Sequence, residues 1–156
     1  MEKVEPRDEH RWLRRLVGEW TSEMSMDPQA GNPRGTETVR MLGDLWVLCE
    51  GTGEMPGGGT ANMMMTLGYD PARQRFVGTW IGSMMTHLWV YEGTLDATRR
   101  ILTLESEGPS MSGDGKTARY RDVIEMKSDD YRTLTSHTPG ADGKWQTFMT
   151  AHYRRR

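Results

Sequence analysis

Apolar and polar residues alternate with period two along most of this chain, and turn residues interrupt the alternation roughly every ten residues. Period two marks a strand with one covered face, because successive side chains point to opposite sides. From Gly18 to Met26, for example, Trp20, Ser22, Met24 and Met26 share one face, while Glu19, Thr21, Glu23 and Ser25 share the other. Pro28 to Pro33 reads as a loop. Strands are then expected near 35–42 and 45–54, with Gly43-Asp44 as the turn, and near 61–69, 74–83 and 86–94. One more is expected near 100–106, and the last three near 117–127, 130–138 and 144–154. The stretch from Leu67 to Trp80 is the clearest hairpin. Asp70-Pro71 starts its turn, since Asp favours the first turn position and Pro pre-sets φ at the second.

One helix is expected, from about Glu9 to Val17, with Asp8 as its N-cap and Trp12, Leu13, Leu16 and Val17 on one stripe. A helix this short needs an apolar surface to dock on. Closing one end of a barrel would supply it. About ten strands joined by short connections predict an all-β chain in which sequence neighbours pair in space. So long a meander either closes or exposes its edges. The expected fold is therefore an antiparallel up-and-down barrel of about ten strands with a short N-terminal helix, in preference to a sandwich. Residues 1–156 read as one domain, without internal repeat or low-complexity tract.

A formal charge of -2 and a pI near 6.1 argue against a nucleic-acid or polybasic membrane partner. The one concentrated positive run, Arg154-Arg155-Arg156, reads as a solvated strand end. A single cysteine, Cys49, excludes an internal disulfide and fits a reducing compartment. Met1 to Arg7 contains no apolar core, and no stretch approaches the roughly 20 apolar residues of a membrane helix, so a cytoplasmic protein is expected. Thirteen methionines, six tryptophans and eighteen glycines stand against two phenylalanines. Met fills irregular space and adapts to shape, while glycines suit the kinks of a small barrel. The mixture fits either a Met-filled core or a soft, deformable cavity.

Five segments carry a family resemblance. Gly18-Glu19-Trp20 after a short helix resembles the opening of calycin barrels, the lipocalin and fatty-acid-binding group. Leu67-Gly68-Tyr69-Asp70, Thr79-Trp80-Ile81, Glu92-Gly93-Thr94 and the ending from Asp142-Gly143-Lys144 through Tyr153-Arg154 resemble domain-of-unknown-function family 1579. The resemblance implies a lipocalin-like barrel of bacterial type with no established activity. It also implies that Trp20 crosses the barrel floor beneath a basic residue of the last strand, Arg154 or Arg155. Family members often carry an acid just after the Trp-Ile pair, where this chain has Gly82.

No catalytic residue is assigned. Cys49 lies in an apolar strand with Leu45 and Val47, where burial makes a thiol inert. Gly57-Gly58-Gly59 lacks the lysine and helix of a phosphate loop. His87, His137 and His152 fall on expected strands without ligand spacing, so no metal is expected. His152, grouped by parity with Phe148 and Thr150, is the one haem candidate, because nitrobindins are similar barrels that hold haem through one late histidine. Otherwise no cofactor is expected. Asp122 alternates with Tyr120 and Ile124 toward the interior, with Arg40, flanked by Val39 and Met41, as its possible partner. Met63, Met65, Trp80 and Trp89 crowd onto consecutive strands, as do Met84, Met85 and Tyr91.

Together these features predict a barrel that binds an apolar or amphipathic small molecule inside. Trp80, Met63, Met65, Tyr120 and Trp89 would give contact area, and Asp122 with Arg40 would fix a polar end. The alternatives are a haem barrel handling small oxidants through His152, an enzyme using Asp122 as its acid or base, and an interaction barrel without ligand. Apolar outward residues on the same strands predict a homodimer.

Overall fold

The computed structural model describes residues 1–25 and 31–156. Ten strands form one closed antiparallel barrel in which every strand pairs with its sequence neighbours and the last pairs with the first. They are β1 (Gly18–Ser25), β2 (Arg34–Leu42), β3 (Trp46–Glu54), β4 (Thr60–Asp70) and β5 (Arg75–Gly82), then β6 (Trp89–Leu95), β7 (Ile101–Pro109), β8 (Thr117–Ser128), β9 (Tyr131–Pro139) and β10 (Trp145–Arg155). This is the up-and-down barrel that the alternation predicts and the lipocalin-like architecture that the resemblance implies. Closure leaves no free edge, the main hazard of a long meander.

Helix α1 (Asp8–Leu13) is shorter than expected and runs into one 3-10 turn, Arg14–Leu16, before Val17 turns extended. Its cap is Arg7, not Asp8, which lies in the first turn. His10 supplies the polar stitching: its Nδ1 accepts from the Arg7 amide at 2.9 Å, so its Nε2–H faces the Tyr69 carbonyl at 3.1 Å. Trp12 donates to the Arg99 carbonyl at 2.6 Å and meets Phe76 edge-on. Leu13 and Leu16 are completely covered. At about 1.5–3 kcal/mol for each such side chain, their burial holds a segment too short to be helical alone.

The helix plugs the barrel end that carries the turns near 43, 72, 97 and 129. Trp20, Val47, Leu67, Phe76 and Leu102 pack beneath it as the main core. Trp20 is fully buried, donates to the Leu16 carbonyl at 2.8 Å, and lies under the Arg155 guanidinium at 4.2 Å. Arg155, not Arg154, is thus the basic residue of the last strand that lies over the floor tryptophan. It also donates to the Val17 and Arg15 carbonyls, tying the last strand to the first.

Expected strand limits shift most at two places. β6 starts at Trp89, which leaves His87 in a connection, and β7 runs on to Pro109. Met26 and the first part of the expected loop, residues 28–30, lie outside the described residues. Bulges interrupt the register of β10 between Thr147 and Met149, and of β8 between Met126 and Ser128.

Candidate functional site

The interior holds a cavity of about 40 Å³, with Leu16 and Ile124 of the main core in its wall. At roughly 10–15 Å³ per water, it has room for about three. Met63, Met65, Trp80 and Leu134 form its apolar side. Glu37, Arg132, Tyr153 and Ser22 form its polar side, with Cys49 and Gly51 between. Each comes from the inward positions of its strand, and the register brings β3 and β4 together as Cys49 opposite Met65 and Gly51 opposite Met63. Gly51 leaves its wall open: a Cβ there would have the Met63 methyl, at 3.6 Å, as nearest neighbour. The Met63 side chain lies over Gly51 and Gly53 and fills space that those glycines vacate.

The polar side is built on a buried ion pair. Arg132 donates from Nη2 to Glu37, and their side chains are only 5% and 14% exposed. Aromatic rings flank the guanidinium, Tyr153 at 4.0 Å and Trp20 at 4.7 Å. Stacking leaves only the in-plane edges of the guanidinium for hydrogen bonds. Glu37 takes one edge, and Arg132 Nε–H has no acceptor. It is the one buried side-chain nitrogen or oxygen among the described residues without a partner. Burial pushes the Cys49 thiol and the Tyr153 phenol well above their ordinary values. At both groups Glu37 adds to that rise, and Arg132 opposes it less strongly than burial and Glu37 promote it. Both therefore stay protonated, which fits an inert Cys49.

Of the expected site residues, Met63, Met65 and Trp80 line the cavity. Arg40 does not. It is exposed and pairs with Glu50 on the outer wall at 3.0 Å. The reason is alternation: residues flanked by inward Val39 and Met41 point outward, so the inward charge of β2 is Glu37. Asp122 is inward but pairs with neither arginine. Tyr91 donates to it at 2.5 Å and Ser136 at 2.7 Å. Burial is the main reason its carboxyl is raised above the ordinary value, and those two hydrogen bonds pull it partly back. Desolvation likewise raises the Tyr91 phenol, with the Asp122 charge adding to it.

Tyr120 and Trp89 stand nearer the open rim, edge-to-face at 4.9 Å, and do not line the cavity. Tyr120 donates to the Pro109 carbonyl at 2.5 Å, and Phe148 packs against its ring at 6.1 Å. The β10 bulge thus separates Phe148 from the face of His152. His152 itself points outward, because its neighbour Tyr153 points in. It is hydrogen-bonded to Tyr131 at 2.7 Å and stacked on that ring. The one-histidine geometry that haem requires inside the barrel is not formed by His152. His137 shares that outer wall, bonded to Thr135 and Thr147, and no metal-binding group of three occurs among the described residues.

The residues missed by sequence reasoning, Glu37, Arg132 and Tyr153, all obey alternation. Glu37 falls in step with Val39 and Met41, and Arg132 with Leu134. That parity was the available signal. Outside, Ile81, Leu88, Val90, Met84 and Met85 leave an exposed apolar surface on β5, β6 and their connection. A separate open depression of about 350 Å³ beside α1 is lined by Tyr69, Phe76, Leu95 and Arg99.

Among solved structures, the S-type phycobiliprotein lyase CPES from Guillardia theta superposes with a TM-score of 0.61 at 14% identity, over 97% of this chain and 98% of that one. The EF1p2_mFAP2b barrel bound to DFHBI gives 0.52 at 14% identity, over 96% and 100%. The redesigned beta barrel b11L5F_LGL gives 0.50 at 12%, over 94% and 96%. At such identities the likeness establishes the fold. No curated protein matches the chain. A family model covers residues 5–155, and on that match the chain belongs to the family described as protein of unknown function, DUF1579.

Proposed function

We propose that this protein is a small-molecule-binding barrel whose ligand is amphipathic, with its apolar body among Met63, Met65 and Trp80 and its polar end at Arg132. The carrying observation is the asymmetric cavity: thioethers and an indole on one side, a stacked guanidinium with an unused N–H on the other. Ligand sites combine mostly apolar walls with a few placed polar groups in this way. The cavity's 40 Å³ is smaller than an organic ligand requires, so binding needs an adaptable wall. Met63 supplies it. A thioether side chain has three rotatable bonds, and swinging it off Gly51 and Gly53 opens the interior toward the rim. A barrel of similar fold is known bound to DFHBI, which supports the capacity of the architecture for a small molecule.

Titration with the neutral dye N-phenyl-1-naphthylamine, followed by its fluorescence, tests the proposal. One molecule should bind per barrel. Gly51→Leu, which fills the cavity beneath Met63, should weaken binding at least tenfold while preserving the circular dichroism of the fold. Equal binding by Gly51→Leu would place the dye on the outer apolar surface and remove the proposal. Native mass spectrometry of freshly purified protein, followed by solvent extraction, is the companion search for a natural occupant.

A further inference from the structure

The cavity also constrains the chemical class of its ligand, and this inference rests on the small-molecule-binding reading above. We propose that the site selects an uncharged molecule bearing one hydrogen-bond-accepting oxygen, a ketone, aldehyde, ester or amide carbonyl on an apolar body, and rejects carboxylates.

Three observations carry this. First, the unused group is a donor. Arg132 lines the cavity at 4% exposure with its Nε–H unpartnered, so a buried acceptor is wanted at that point. Second, the guanidinium charge is already neutralised, because Glu37 is ion-paired to it and lines the same cavity. An entering carboxylate would lose its hydration and stand beside the Glu37 carboxylate, with no uncompensated positive charge in return. Third, the other ionisable groups facing the cavity, Cys49 and Tyr153, are held protonated and offer donors without charge. Asp122, a further carboxyl of the interior, does not line the cavity and is occupied by Tyr91 and Ser136. A bare arginine would select an anion. This paired one offers a directed N–H in a neutral setting.

Four probes of one chain length separate the terms: octane, 2-octanone, octanoate and 1-octanol, each competed against N-phenyl-1-naphthylamine at pH 7. A hydrogen bond to a charged donor corresponds to roughly a tenfold or greater gain. 2-Octanone should therefore displace the dye at least about tenfold more tightly than octane, 1-octanol should do likewise, and octanoate should be the weakest. In Glu37→Gln/Arg132→Met, which removes both charges together, the preference for ketone over octane should fall below about twofold while octane binding persists. Glu37→Gln alone should reverse the order and favour octanoate over 2-octanone.

Octanoate matching or exceeding 2-octanone in the unmodified protein would overturn the neutral-ligand class while leaving the container intact. A ketone preference that survives in the double variant would overturn the assignment to Arg132, since the donor would then lie elsewhere. Binding of the dye with no discrimination between octane and 2-octanone would show that ligands never reach Nε–H. Failure of every probe and of the dye would refute the container itself, and the class with it.

Discussion

Replacing Arg132 by Met is the sharpest test of the buried pair on which the site is built. Methionine keeps an unbranched apolar stem but removes the guanidinium and its charge, leaving Glu37 in a region where its side chain is only 14% exposed. Breaking a buried pair from one side costs about 3–5 kcal/mol, because the remaining charge is desolvated without compensation. At about 2–4 °C per kcal/mol for a chain of this size, the melting temperature should fall by roughly 6–20 °C. Glu37→Gln/Arg132→Met should recover most of that loss and lie within about 1–2 kcal/mol of the unmodified protein, since no unpaired charge remains. It also deletes the orphaned Nε–H, which favours the variant further. Urea unfolding followed by tryptophan fluorescence measures all four members of the cycle. With either single variant costing about 3–5 kcal/mol and the double about 1–2 kcal/mol, the expected coupling is about 4 kcal/mol or more. A single variant costing less than about 1 kcal/mol, with a strictly additive double, would mean that the pair is solvated. The polar half of the cavity would then lose its basis.

Other outcomes follow from the same geometry. Gly78→Ala should cost about 1–3 kcal/mol, because its Cβ would clash with the Thr66 carbonyl oxygen, whereas a Cβ at Gly51 makes only ordinary contacts, with the Met63 methyl at 3.6 Å and the Thr36 carbonyl oxygen at 3.7 Å, and Gly51→Ala should cost about 1 kcal/mol or less. Comparable urea midpoints for the two would contradict the wall geometry. Asp122, raised above the ordinary carboxyl value mainly by burial, binds its proton more tightly when folded than unfolded. Its contribution to stability is therefore present at low pH and lost as pH rises through the native value. The stability difference between the unmodified protein and Asp122→Asn should accordingly shift in favour of the former on going from pH 7 to pH 4, and a pH-independent difference would refute the burial argument. Cys49, buried and protonated, should react with Ellman's reagent only through opening of the barrel, with a rate that climbs in sub-denaturing urea. Complete labelling within seconds at pH 7.5 would show a direct path to the thiol.

Why the fold was legible and the polar site less so comes down to what alternation encodes. Period two assigns a face to each residue of a strand, and a closed barrel turns that assignment into inside or outside. Trp20, Met63, Met65, Trp80 and Cys49 obey it, and all reach the interior. Arg40 stands on the outer wall because it is adjacent to inward Val39 and Met41, and adjacency on a strand means opposite faces. Applied one residue further, the same rule points to Glu37, and on β9 it points to Arg132 beside Leu134. Parity cannot say which inward charges meet, because that depends on distance across the barrel, between residues 95 positions apart in sequence. Nor can it see the bulge that divides Phe148 from His152, since one extra residue reverses every face beyond it. The interior charges are thus the part of the chain where local pattern conflicts with local chemistry: a strand position that calls for Leu or Val carries Glu or Arg. Such a conflict lowers stability unless each charge finds the other, and even a met pair seldom surpasses an apolar replacement of similar volume. The Glu37–Arg132 pair therefore has little to offer as a packing device. A guanidinium fixed between two rings with one N–H still unused makes sense as a group held in place for something that the barrel admits.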